Sequence, residues 1–139
     1  MKRLIIFLSI FFMAVNFAFS QTETPKDEVI APNPNAPVIT FDKVIHDYGV
    51  INKGDNGKCE FKFTNTGKEP LILSRPRSNC GCTVPTWPRQ PIMPGKSDII
   101  TVVYDTQRMG PIHKSVTVFS NAKNNAVVLQ IKGTVNQTK

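Results

Sequence analysis

The chain is poor in the groups that usually carry chemistry. It holds three cysteines, two histidines and one tryptophan in 139 residues. It has no glycine-rich loop of the kind that cradles nucleotide phosphates, and no internal repeat. Ser, His and Asp all occur, but no strained nucleophile turn marks any of them out, so a nucleophilic triad is unsupported and no enzyme activity is expected. Past the first twenty residues no run is apolar enough to cross a bilayer, and no stretch shows helical periodicity. A formal charge of +7 is a mild surplus. It describes a solvated basic surface and does not single out nucleic acid.

What is present begins at the N-terminus. Lys2 and Arg3 precede an apolar run, Leu4 to Phe12, broken only by Ser9. The run continues past Asn16 to Ala18-Phe19-Ser20, with small residues at −3 and −1 of a cut before Gln21. This pattern predicts a signal peptide over 1–20 and an exported protein, periplasmic or secreted to the cell envelope. A retained anchor is the competing reading, but the apolar run is short for a span of about 20 residues. No cysteine lies near the cut, so lipid attachment there is closed and no transmembrane anchor is expected after cleavage. Export also argues against a nucleic-acid partner. Residues 21–139 keep a charge of +5 once Lys2 and Arg3 leave. They suffice for one domain with a single core.

Residues 21–37 contain Pro25, Pro32, Pro34 and Pro37 and few apolar side chains. Such a stretch buries too little surface to offset its ordering entropy and reads as a flexible, Pro-rich linker. From Val38 the pattern becomes short β-like segments between turn signals. Val38 to Phe41 and Val44 to Ile51 come first, then the turn Lys53-Gly54-Asp55-Asn56-Gly57. Cys59, Phe61 and Phe63 alternate with polar residues, the period of a strand with one buried face. Leu71 to Leu73, Ile99 to Tyr104, His113 to Phe119 and Val127 to Val135 complete the set. About seven strands at this spacing predict an all-β, immunoglobulin-like β-sandwich over 38–135, with 136–139 as a tail.

These residues also form a familiar series. Phe41-Asp42, His46-Asp47-Tyr48-Gly49, Phe63-Thr64-Asn65-Thr66-Gly67, Pro70-Leu71, Cys80-Gly81-Cys82-Thr83 and Pro94-Gly95 are followed by Tyr104-Asp105, Gly110, Ser120-Asn121 and Gly133. The series resembles the exported bacterial family called domain of unknown function 1573, common in Bacteroidota, and is similar to the wider immunoglobulin-like group of ASPM, SPD-2 and Hydin. The Cys-Gly-Cys-Thr element is its most specific part. The resemblance implies a β-sandwich without an established biochemical activity.

The cysteines leave several chemistries open. Cys59 shares the face of Phe61 and Phe63, as a buried thiol would; a disulfide to Cys80 or Cys82 is the alternative. Cys80 and Cys82 could bond to each other across a tight turn, for which Gly81 supplies a residue tolerant of positive φ. They could instead offer two thiolates to copper(I), with His46, His113, Met93 and Met109 completing the site if folded nearby. A zinc site fits less well, since paired cysteines in structural zinc sites stand further apart. A thiol–disulfide reagent is a third reading, because Arg75, Arg77 and Arg89 flank the loop and positive charge favours the thiolate. Against it stands the missing Cys-x-x-Cys spacing.

Trp87, held between Pro85 and Pro88, either caps one end of the core or anchors a partner, with Arg75, Arg77 and Arg89 as further partner-binding candidates. The reading that follows is an exported, non-enzymatic module binding a protein or a cell-envelope component, with no cofactor. A copper(I)-binding or thiol-redox envelope protein using Cys80 and Cys82 is the alternative. Oligomeric state has no signature in the sequence.

Overall fold

A computed structural model describes residues 33–137. The expected signal segment 1–20, linker residues 21–32 and the last two residues of the tail lie outside the described residues. No helix occurs among the described residues, so none is long and apolar enough to cross a membrane. Eight strands follow in chain order: β1 Ile39–Phe41, β2 Ile45–Asn52, β3 Lys58–Asn65, β4 Arg77–Ser78, β5 Thr83–Thr86, β6 Ser97–Tyr104, β7 Gly110–Phe119 and β8 Ala126–Asn136. They form two four-stranded sheets, ordered β1-β3-β6-β5 and β2-β8-β7-β4. All pairings are antiparallel except β2 with β8, which run parallel.

Alternation puts the core between the sheets. Cys59, Phe61, Phe63 and Asn65 of β3 face inward, and their intervening neighbours face water. Ile100, Val102 and Tyr104 of β6 join them, and Val116, Val118, Leu129, Ile131 and Val135 meet them from the other sheet. Each fully buried apolar side chain contributes about 1.5–3 kcal/mol relative to exposure. Together these rows decide which face of each strand turns inward, and hence its register.

Three segments depart from expectation. Leu71 to Leu73 is no strand: Leu71 bridges Ile92 while Leu73 bridges Ser120. Between them the Ile72 N–H donates to the Asn121 side chain at 2.8 Å, so no continuous ladder can form. Conversely, the short strands β4 and β5 arise where Pro76 and Pro85 would discourage a strand. Both lie at sheet edges, where a proline costs no central ladder bond.

The end of the presumed linker is part of the domain. Asn35 O accepts from Lys68 N at 3.3 Å, Pro37 O accepts from Lys123 N at 2.9 Å, and Pro37 is buried. Gly67 makes this docking possible. A Cβ there would stand 2.5 Å from Pro37 Cα and 2.6 Å from Ala36 O.

Candidate functional site

The chain leaves one sheet at β4 and enters the other at β5, and residues 79–82 make the crossing. The structure joins Cys80 to Cys82 in this crossover, with their Cα atoms 5.3 Å apart. That is shorter than the roughly 6.5 Å of two residues in an extended strand, so the chain turns here. Gly81 does not turn it through a positive φ, contrary to expectation, and a Cβ at Gly81 would meet nothing within 4 Å. The turn is held by its neighbours instead. Ser78 Oγ donates to Cys80 O at 2.7 Å, Asp105 N donates to Cys82 O at 2.9 Å, and Asn79 N donates to Ser115 O at 3.1 Å. Thr83, itself buried, sets its hydroxyl oxygen 3.5 Å from Cys80 Sγ and 3.8 Å from Cys82 Sγ.

Beside this crossover, edge strands β4 and β5 enclose an open groove of about 820 Å3. Arg75, Arg77 and Ser78 belong to the β4 side. Val84, Pro85, Trp87 and Arg89 line the β5 side, and Gly81 and Thr83 close the end at the disulfide. Arg89 stacks on Trp87 with its guanidinium carbon 3.7 Å from the ring centroid, a cation–π distance. Stacking holds the fork while leaving its in-plane N–H donors for a ligand. Arg77 lies 5.8 Å from the Phe119 ring, and a smaller notch lined by Ser74, Arg75, Arg77 and Phe119 adjoins the groove. Among the described residues none of these three arginines pairs with a carboxylate; the ion pairs join Lys58 to Glu60, Arg108 to Asp105 and Lys132 to Asp47. Three arginines thus line one groove, with no carboxylate paired to them among the described residues.

Arg75, Arg77, Trp87 and Arg89, candidates from sequence, therefore meet in one place. The sequence did not disclose that Val84 and Thr83 stand with them, because Pro85 masks the short alternation of β5. Trp87 packs against the core, as the first reading of it expected, and also lines the groove.

Of the six residues considered for copper, Cys80 and Cys82 are bonded to each other, while the two methionines stand apart and so do the two histidines. Met93 precedes β6 and Met109 follows it, so an eight-residue strand of about 27 Å separates them. His46 pairs with Ile131 and His113 with Lys132, consecutive residues of β8. The two histidines therefore project from opposite faces of that sheet. Burial, with Lys43 adding to it, holds the His46 pKa below its usual value. Lys43 Nζ lies 3.3 Å from His46 Nδ1, in place to donate to the neutral ring. Among the described residues no three His, Cys, Asp or Glu side chains gather as a metal site would require.

Cys59 stays unpaired and buried, so the alternative bridge to Cys80 or Cys82 does not form. Burial pushes its thiol pKa up. It lies beside Tyr48, whose phenol is itself held well above its usual range by burial and donates to Gly57 O at 2.6 Å. Neither group is set up to react as an anion.

Residues 39–135 match the profile of a family described as protein of unknown function (DUF1573). The chain belongs to this family. The DUF1573 domain is similar to the crystal structure of a protein of unknown function from Porphyromonas gingivalis W83, at TM-score 0.67 and 19% identity. That match covers 77% of this chain and 51% of the other, so the chain spans about half the length of the Porphyromonas protein. A PapD-like domain of human CEP192 matches at TM-score 0.60 and 9% identity, covering 84% of this chain and 99% of that one. The VesB protease of Vibrio cholerae matches at TM-score 0.53 and 11% identity, covering 73% and 32%. These likenesses show an immunoglobulin-like, PapD-like fold. No curated protein matches the chain.

Proposed function

We propose that this DUF1573 domain is an exported, non-catalytic binding module that takes a protein or a cell-envelope component in the groove between β4 and β5. The observation that supports this reading is three arginines and the single tryptophan lining one open groove, with no acidic partner among the described residues. Arginine and tryptophan are the side chains most enriched where binding energy concentrates. Exposed guanidinium groups are also well suited to carboxylate or phosphate. Export is supported by the pattern of residues 1–20, which carries the charge, apolar run and cleavage motif of a signal peptide.

The test compares the tagged chain with its Arg75→Gln/Arg77→Gln/Arg89→Gln variant as baits for crosslinked cell-envelope extract. The wild type retains a discrete species that the variant loses, while the two melt within a few degrees of each other. Equal capture by both baits would falsify the groove as the binding site.

A further inference from the structure

The two sides of the groove differ, and their difference specifies a ligand more narrowly than charge alone. On the β4 side Arg75 and Arg77 stand two residues apart, about 6.5 Å along an extended run. The β5 side is largely apolar: Val84 is 59% exposed, Pro85 follows it, and Trp87 lies beyond with Arg89 on its face. The apolar surface continues past the groove, since Val84 pairs with Val103 of β6, which is 44% exposed, and Ile99 is exposed on the same outward row.

Building on the binding reading above, we infer that the groove takes an extended peptide segment of a partner protein in which acidic and apolar side chains alternate. An extended chain repeats its side chains on one face every second residue, the spacing of Arg75 and Arg77. Its acidic face then meets the arginines while its opposite face covers Val84 and Trp87. A polysaccharide or phospholipid headgroup could satisfy the guanidinium groups, but it would leave the valine shelf in water. The groove volume lies within the usual range of ligand clefts.

Recognition rests on side chains more than on strand addition. Cys82 O accepts from Asp105 N, so Val84 also turns toward β6 while Thr83 and Pro85 turn outward. Pro85 has no N–H to offer there, and β4 is two residues long. A continuous new ladder has no template on either edge.

The probe is the peptide acetyl-Ser-Glu-Val-Glu-Val-Glu-Ser-amide, followed by emission of Trp87, the only tryptophan in the chain. Saturable binding is expected in dilute buffer and weakens as salt screens the arginines. Peptides with Gln for every Glu, or Ser for every Val, bind at least tenfold more weakly. Arg75→Gln/Arg77→Gln loses at least tenfold affinity for the probe, and so does Val84→Glu, a change at an exposed position. Lys62→Gln, away from the groove, leaves affinity unchanged. The inference is overturned if the Ser-for-Val peptide binds as well as the probe. It is also overturned if oligogalacturonate or phosphatidylglycerol vesicles bind and the probe does not, or if the groove variants keep full affinity. Loss of probe binding alongside arginine-dependent capture from envelope extract removes only this ligand class. Loss of both removes the binding groove.

Discussion

Asn65 ends β3 with no exposed surface, and its side chain makes three hydrogen bonds to main chain. Its Nδ2 donates to Glu69 O at 2.8 Å and to Ile92 O at 2.9 Å, and its Oδ1 accepts from Gly67 N at 3.0 Å. Its own backbone groups bond Lys96 O and Gly95 N. One amide thereby ties together the turn after β3 and the segment leading into β6. Asn65→Ala strands these main-chain groups in a site with little water. Each unsatisfied group costs about 1–3 kcal/mol, so a loss of roughly 2–4 kcal/mol is expected from urea unfolding midpoints at unchanged slope. The sequence shows Asn-Thr-Gly as a turn. It does not show the asparagine as a hub, because Ile92 lies 27 residues away and only the folded chain brings it near. Cys59 was more legible. Its place in the alternation with Phe61 and Phe63 is a local property, and burial follows from it directly.

At the scale of elements, the crossover from β4 to β5 couples a covalent bond to the width of the groove. The Cys80–Cys82 bridge closes a loop of very few residues, so it removes little freedom from the unfolded chain, about 1.5 kcal/mol by loop-closure entropy. Its larger effect is expected on shape, since it sits where the two sides of the groove join. Mild reduction by a dithiol, confirmed by mass after alkylation, is predicted to lower the melting temperature only slightly. The same treatment should weaken binding of the acidic–apolar peptide severalfold, as read by Trp87 emission. Unchanged affinity would make the bond a bystander to recognition. Here too legibility has a physical boundary. Long alternating strands such as β3 and β8 announce themselves, and the sandwich follows. Strands of two and four residues carry too few positions to show a period, and both contain or adjoin a proline. The groove is built from these two, so its four key side chains were visible individually while their convergence was not.

Across the whole molecule, one core holds both sheets. Phe61 and Phe63 from one sheet and Leu129 and Ile131 from the other have 2% exposure or less. No buried side-chain polar atom among the described residues lacks a partner. The turn from Asn121 to Asn124 ties the layers further. Asn124 Oδ1 accepts from Ile39 N at 3.1 Å and its Nδ2 donates to Ile39 O at 2.7 Å, fastening β1 to the turn that joins β7 and β8. Neither sheet has an inner face covered without the other, so unfolding should be a single event. Phe61→Ala is expected to cost about 3–5 kcal/mol. Near- and far-ultraviolet circular dichroism should still report one coincident transition in that variant. Two separated transitions would mean that the sheets are independently stable.

The closeness of Cys80 and Cys82 in the chain also bears on which thiols pair. The two bridged thiols stand two residues apart, so no distant part of the fold is needed to bring them together, whereas Cys59 lies some twenty residues away along the chain. The bond therefore depends on local chain geometry alone, while the sandwich keeps Cys59 buried and apart from it. A chain with an odd number of cysteines thus leaves its spare thiol packed in the core, where no second cysteine of the described residues can reach it.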